Sequence, residues 1–518
     1  MASGNRERSR DVLIVGGGLG GVAAALAAAR LGRTVLLVEP TAWIGGQLTS
    51  QGVSAPDEHP WIESFGCTAS YRALRNGIRA YYSRHYPLTP DPARLHLNPG
   101  NGLVSRLCHE PRVALAVLHE LLAPQLASGR LQILTGWSPV AADVDGDRVR
   151  GVLVQGVDGS RLTCMAPYVI DASELGDVLP LVGAEHVVGA EARADTGEPH
   201  APPTANPGDV QSFTWCAMLA WYPGEDHTID RPAGYERFRA GGHLSWVQPH
   251  PVTRVPRRYT LFPNEPADAY PLWTYRRVLD RSLFAAGGMP SDLSVVNWPQ
   301  NDHVGGNLLD PDPARATAAA LEARQQTLSV VHWLQTEAPR PDGGIGYPGL
   351  ALRGDALGSN DGLALAPYVR ESRRIAAETR VSELDVAKDL RPEATAYPDS
   401  VGIGLYRIDL HPSAAGSGYL DIPCCPFQIP MGALIPVRLG NLLAGAKNIG
   451  TTHIANGAYR LHPVEWNIGE AAGVLAAEAL ETGVSPSGIR ADPERRAAYQ
   501  RRLERMGVPL AWPRAHPI

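Results

Sequence analysis

A chain of 518 residues can bury a large core, and 44 % hydrophobic with 19 % charged residues is ordinary globular usage rather than a disordered composition. A formal net charge of −6 with no Lys/Arg-rich block argues against a nucleic-acid or anionic-membrane partner. The polar start and the lack of any long apolar run predict a cytoplasmic protein with no leader and no membrane span. Six cysteines without C-x-x-C spacing exclude a disulfide scaffold and a zinc pattern, and adjacent Cys424 and Cys425 read as small buried residues beside a proline-rich loop rather than a redox pair.

In chain order, the apolar run Val12–Val15 reads as a buried parallel strand, Val22–Leu31 as an alanine-rich helix stopped by Gly32, and Thr34–Val38 as a second strand. A helical excursion follows near Trp61–Tyr86, then a helix over Val113–Leu126 and a strand at Leu131–Leu134. The turns Asp145-Gly146 and Asp158-Gly159 punctuate β-rich runs and predict a small antiparallel meander, after which Tyr168–Ile170 is one more short strand. From Val187 to Cys424 the chain is rich in Pro, Trp and Tyr, with one clear helix over Pro313–Trp333. Beyond Gly440 the first texture returns, as a strand at Asn441–Gly445 and an alanine-rich helix over Pro463–Leu480. The predicted fold class is α/β: a Rossmann-like nucleotide-binding domain from residues 1–186 and 425–518, with a helical insertion at 61–105 and an inserted mixed β-rich substrate domain at 187–424.

Gly16-Gly-Gly18-Leu19-Gly20-Gly21 satisfies G-x-G-x-x-G in its required context: a strand before, a helix after, and an acid, Glu39, ending the next strand. Gly16 permits the tight turn, Gly18 admits a diphosphate to the backbone, and Gly21 allows close packing, while the helix N-terminus offers free amides to the phosphates. Glu39 accepts from ribose hydroxyls and disfavours a 2′-phosphate, so NADP is not expected. The turn Ile44-Gly45-Gly46-Gln47-Leu48-Thr49 lies where an extended FAD would run, and it favours FAD over NAD.

With these motifs the chain resembles the bacterial branch of the FAD-dependent oxidoreductases in the glutathione-reductase-like superfamily. The resemblance rests on Gly45-Gly-Gln-Leu-Thr-Ser50, Ile170-Asp-Ala-Ser-Glu-Leu-Gly-Asp177, Tyr368-Val-Arg370-Glu-Ser-Arg373-Arg374, Asn441–Gly445, Tyr459-Arg460 and Gly469-Glu-Ala-Ala-Gly473. It implies that FAD is held by the glycine turn with Leu19, Gly20, Glu39, Pro40 and the Gly45–Thr49 loop. Val140, Ala172, Ser173 and Asn448 join that set, and amides near Trp466 and Asn467 face the reduced flavin at a helix N-terminus. Relatives that hydroxylate aromatics carry Gly-Asp-Ala-Ala-His where this chain reads Gly445-Ala-Lys447-Asn448, which argues against aromatic hydroxylation. The glycines of Gly344–Gly349 follow no strand and read as a loop, so no second pyridine-nucleotide site is expected.

For proton chemistry the richest segment is Thr452–His462. His453 is the first candidate base and His462 the second, Asn456 orients a carbonyl, and Arg460 binds a carboxylate or stabilises reduced flavin. Asn297-Trp298-Pro-Gln-Asn301-Asp302-His303 and Asp57-Glu58-His59 are further polar clusters, the latter at the cavity mouth. No metal is expected. The expected activity is two-electron oxidation of a small polar substrate, by hydride transfer to flavin N5 and reoxidation by oxygen or an external acceptor. The alternatives are a flavin-dependent reductase, a rearrangement without net redox change, and an FAD-holding binding protein. Monomer and homodimer both stay open.

Overall fold

The structure, a computed structural model, describes residues 6–91, 95–250, 253–263 and 269–513; the first five residues of the polar start lie outside the described residues. The chain enters through a short strand, β1 (Arg6–Ser9), and then forms β2 (Val12–Val15), α1 (Leu19–Arg30) and β3 (Val35–Glu39). β2 and β3 pair in parallel, Val12 opposite Val35 and Val15 opposite Val38, and every residue of both is buried. A parallel sheet covered on both faces has no polar side, so its strands are continuous apolar runs rather than alternating ones.

Two helices follow, α2 (Ala69–His85) and α3 (Pro111–Ala127), and then β4 (Leu131–Thr135), which pairs with β3. α2 begins at Thr68, whose hydroxyl accepts from the Tyr71 amide at 3.2 Å as an N-cap. The expected meander is β5 (Trp137–Asp145), β6 (Arg148–Gly156) and β7 (Arg161–Met165), with Gly146 and Gly159 at φ +57° and +80° in its turns. β1 escapes a reading based on apolar runs because Arg-Glu-Arg-Ser is polar. It is an edge strand, parallel to β7.

β8 (Tyr168–Asp171) pairs with the other side of β2. The insertion then supplies β9 (Ala217–Trp221), β10 (Arg277–Leu279), β11 (Leu293–Val296), α4 (Pro313–Thr336) and β12 (Leu350–Leu352). They include a mixed-texture sheet of order β10-β11-β9-β12 over its own core of Trp273, Trp298, Trp333 and Leu334. The chain returns as β13 (Leu442–Ala444), α5 (His453–Tyr459) and α6 (His462–Thr482). β13 completes a five-stranded parallel sheet of order β13-β8-β2-β3-β4, drawn from both ends of the chain. The architecture is therefore α/β and Rossmann-like with a mixed β-rich insertion.

α6 lies on α1 through a stripe of small residues four apart on each helix. A Cβ placed at Gly469 would stand 1.9 Å from the Gly20 carbonyl oxygen, and one at Gly473 would stand 2.4 Å from that of Ala24. This backbone-to-backbone contact fixes the start of α6 against the glycine turn. Among the described residues no helix is long and apolar enough to cross a membrane. Cys424 and Cys425 are free and buried, the Cys425 sulfur lying against the Pro392 carbonyl oxygen at 3.5 Å.

Candidate functional site

A groove of about 640 Å³ opens at the carboxyl ends of β2 and β3, where ligands of open α/β sheets collect. Gly16, Gly18, Glu39, Pro40, Gly46, Val140 and Ser173 all line it. Gly16 turns at φ +102°, where a Cβ would stand 2.2 Å from the Ala172 carbonyl oxygen, and one on Gly21 would stand 1.8 Å from that of Gly16. Only glycine allows this turn to close. Gly18 also lines the groove, and the atoms nearest to where its Cβ would stand are the Glu174 and Glu465 carboxylate oxygens at 2.7 and 3.4 Å.

Glu39 is almost wholly buried and accepts from the Gly17 amide at 2.9 Å and from the Thr41 amide and hydroxyl at 2.8 and 2.6 Å. Burial pushes its carboxyl up to about 7 against the pull of those hydrogen bonds. Two further groove residues, Gln51 and Glu174, carry buried oxygens that no protein donor meets. Unused acceptors on Gln51 and Glu174 and a carboxylate at the end of β3 fit the many hydroxyl donors of FAD. The Glu39 carboxylate must be ionised to accept from both ribose hydroxyls, so affinity for FAD is present above about pH 7 and lost as the pH falls through it. A fluorescence titration should show FAD binding tightening by up to about tenfold between pH 6 and 8, with Glu39→Gln giving a flat profile. An equal slope in the variant would assign the effect to another group.

The Gly45–Thr49 turn is buried throughout and pinned from behind, the Gly45 amide donating to Gly17 O at 2.7 Å and the Thr49 hydroxyl to Ile44 O at 2.6 Å. Leu48 packs in the core. Gln47 reaches the other way, donating to Glu465 and, at 3.1 Å, to the carbonyl oxygen of Arg460. Lys447, fully buried, pairs with Glu174 and stands 3.7 Å from Glu465. Burial alone would lower its ammonium, but the two carboxylates outweigh that and hold it above its ordinary value. Asn448 ties the loop down, accepting from Ala446 N at 3.2 Å and donating to Asp171 O at 2.9 Å.

α6 begins at His462, so its free first-turn amides lie a full turn before the positions expected to offer them. Trp466 and Asn467 sit in the second turn and their side chains pack elsewhere. Trp466 donates to the Ser70 hydroxyl at 2.7 Å, and Asn467 donates to Val401 O at 3.1 Å. His462 is fully buried between Asp57 N at 3.2 Å and Val53 O at 3.3 Å, and burial lowers its imidazole to about 4. A neutral ring with both nitrogens used holds the loop together. The Asn456 amide nitrogen is likewise spent on Lys447 O and the Thr451 hydroxyl, at 2.9 and 3.0 Å, while its buried Oδ1 meets no protein donor.

Arg460 does reach a site. It lines a second, polar cavity of about 230 Å³, together with Asp57, Arg276, Asn297, Trp298, Asp302, Tyr368, Arg370, Asp409 and His411. The charges form a near-closed circuit around it. Arg370 donates to Asp302 at 2.9 Å, Asp302 meets His411 Nδ1 at 2.6 Å, and His411 Nε2 stands 3.6 Å from Asp409. Asp409 accepts from Arg460 at 3.1 Å, and Arg460 donates to the Tyr368 hydroxyl at 2.9 Å. Although burial opposes it, Arg370 and His411 hold the Asp302 carboxyl down at about 2. Segment 366–370 is the wall between the two spaces: Ala366, Pro367 and Val369 face the groove, while Tyr368 and Arg370 face the cavity.

Of the polar clusters singled out in the sequence, Asn297, Trp298, Asp302 and Asp57 come together here, whereas His303 turns to Gln326 at 3.0 Å and Glu58 pairs with Arg75. His453 lies beyond His411 in an adjoining cavity of about 240 Å³, its Nδ1 2.9 Å from Glu371. Burial would lower its pKa, but Glu371 raises it above the usual histidine range. Arg276 and His411 carry no local pattern that would mark them. Only the fold brings them to Arg460.

A search of curated proteins finds no match to this chain. Among solved structures it is similar to the L-proline dehydrogenase from P. horikoshii, at 18 % identity over 38 % of this chain and 26 % of that one, with a TM-score of 0.19. The chain thus spans about a quarter of that structure's length. It is also similar over 97 % of its length to p-nitrophenol 4-monooxygenase PnpA from Pseudomonas putida, at 13 % identity, 94 % of that chain and a TM-score of 0.38. A geranylgeranyl bacteriochlorophyll reductase-like protein from Thermoplasma acidophilum matches at 12 % identity over 97 % of this chain and 85 % of that one, with a TM-score of 0.31. The model of the family described as FAD dependent oxidoreductase matches residues 11–503, nearly the whole sequence. The chain belongs to the FAD dependent oxidoreductase family.

Proposed function

We propose that this FAD-dependent redox enzyme is of the oxidase or dehydrogenase type and takes an electron pair from one small polar molecule held in the Arg276–Arg370–Arg460 cavity. The observation that supports the reading is the common wall. Residues 366–370 line both the groove and the cavity, and Arg460 ties the cavity to the Gly45–Thr49 turn, with its carbonyl oxygen on Gln47 and its side chain lining the cavity. FAD, when bound, supplies a two-electron acceptor able to take hydride.

The chain's own part is to hold the substrate and to accept its heteroatom proton. Asp302, ionised at any working pH, accepts from His411 Nδ1, so the neutral form of the ring presents Nε2 as the proton acceptor. His453, the other candidate, opens on the adjoining cavity but holds its proton more tightly beside Glu371. Tyr259, Tyr270, Tyr275, Tyr406 and Tyr419 also line the polar cavity. The expected result is bleaching of the flavin absorbance when FAD-loaded protein is mixed, without oxygen, with a correct member of a panel of small alcohols, amines and hydroxy acids. If no member bleaches a protein that keeps its FAD, an FAD-holding binding role replaces this reading.

A further inference from the structure

The polar cavity has a one-sided deficit. Five of the residues that line it, Arg276, Asn297, Trp298, Arg370 and Arg460, each carry a buried N–H that no protein acceptor meets, at Nε, Nδ2, Nε1, Nε and Nε respectively. Among the described residues lining the same cavity, no buried side-chain oxygen is left without a donor. Buried donors without partners are destabilising, and a ligand that supplies acceptors relieves that cost.

The three of the five lining arginines that carry these donors are not equally engaged. Arg370 is spent on Ser212 O, the Thr214 hydroxyl and Asp302, and Arg460 on Tyr368 and Asp409. Arg276 donates to Ala55 O at a long 3.3 Å, stands 3.8 Å from Asp57 and lies over the Tyr275 ring at 5.0 Å. It lies just before β10, whose neighbour β11 leads into Asn297 and Trp298, and its carbonyl oxygen accepts from Val295 N at 3.1 Å. One cation and two neutral donors thus project from adjacent strands. The cavity also bears acceptors: Asp409 and the Nε2 edge of His411.

We infer that the cavity takes a small hydroxy acid, its carboxylate held by Arg276 with Asn297 and Trp298 and its hydroxyl facing His411. The inference rests on the redox reading for the use made of the hydroxyl, but not for the binding. Carboxylates accept charge-assisted hydrogen bonds from guanidinium and lack the donors that would add to the deficit. An amine or a neutral polyol would leave the Arg276 side unanswered.

Calorimetric titration of the FAD-loaded protein tests this with glycolate, lactate and gluconate against ethylene glycol, propane-1,2-diol and glucose. At least one acid should bind about tenfold more tightly than its neutral counterpart. Arg276→Gln should abolish that preference, and Asn297→Asp, isosteric but negatively charged, should do the same if the first variant fails to fold. Acids that bind no better than the alcohols, or no binding from either set, overturns the inference. If the acids bind selectively and the flavin stays oxidised, the inference holds and the redox reading falls. If a neutral alcohol or an amine bleaches the flavin while the acids show no preference, the redox reading holds and the inference falls.

Discussion

Gly469→Ala is expected to cost about 3 kcal/mol or more and to leave a chain that no longer retains FAD, as read from the thermal midpoint and from flavin absorbance after gel filtration. The added methyl would lie 1.9 Å from the Gly20 carbonyl oxygen, and a methyl on Gly20 would itself lie 2.0 Å from the Gly445 carbonyl oxygen. The layers α6, α1 and the loop after β13 are thus stacked main chain on main chain, and no flexible side chain stands between them to yield. Relief requires the helix axes to part, which opens the Gly473–Ala24 contact as well and displaces the glycine turn from the groove. Against a net stability of about 5–15 kcal/mol for a whole domain, that is a large share. Gly483→Ala is the control. Gly483 also ends α6, at φ +68°, but a methyl there would meet nothing within 4 Å. Only backbone strain of about 1 kcal/mol is expected. Equal losses in the two variants would mean that close helix approach is not what Gly469 provides.

The groove was legible in the sequence because its parts are local: β2, the glycine turn, α1 and Glu39 fall within 28 residues, Val12 to Glu39, and each is forced by its neighbours. The parallel strands could be read from apolar runs, and the meander from its Asp-Gly turns. The polar cavity could not be read that way. Asp57, Arg276, Asp302, Tyr368, His411 and Arg460 span some four hundred positions, and no spacing rule links them. His411 lies 109 positions from Asp302, which orients it. The Thr452–His462 segment drew attention because its polar residues are dense, yet density reflected structural work. His462 and Asn456 close loops, and only Arg460 among the four residues singled out there lines the cavity. The α6 start shows a related limit. Pro463 marks the first turn, but an eye drawn to the Gly469–Gly473 stripe places the free amides too far along the helix.

His411→Ala is expected to lower the rate of anaerobic flavin reduction by about 10²- to 10⁴-fold without loss of bound FAD, since His411 lines the polar cavity and not the groove. The size follows from its position between two carboxylates. Asp302 accepts its Nδ1 proton at 2.6 Å, and Asp409 stands 3.6 Å from Nε2, too far for a hydrogen bond, so that edge is left for a substrate hydroxyl. Asp302→Asn separates orientation from basicity. The ring stays, but an amide in place of a carboxylate held at about 2 can donate to Nδ1, drive the proton to Nε2 and remove the acceptor. Its rate should therefore fall nearly as far as that of His411→Ala, with little further loss in the double variant. His453→Ala should slow reduction far less, because its Nδ1 faces Glu371 and its ring opens on the adjoining cavity. If His453→Ala instead stops reduction and His411→Ala leaves it intact, the proton acceptor is His453, and the substrate must sit in the adjoining cavity beside Asp209 rather than in the polar cavity with Arg460.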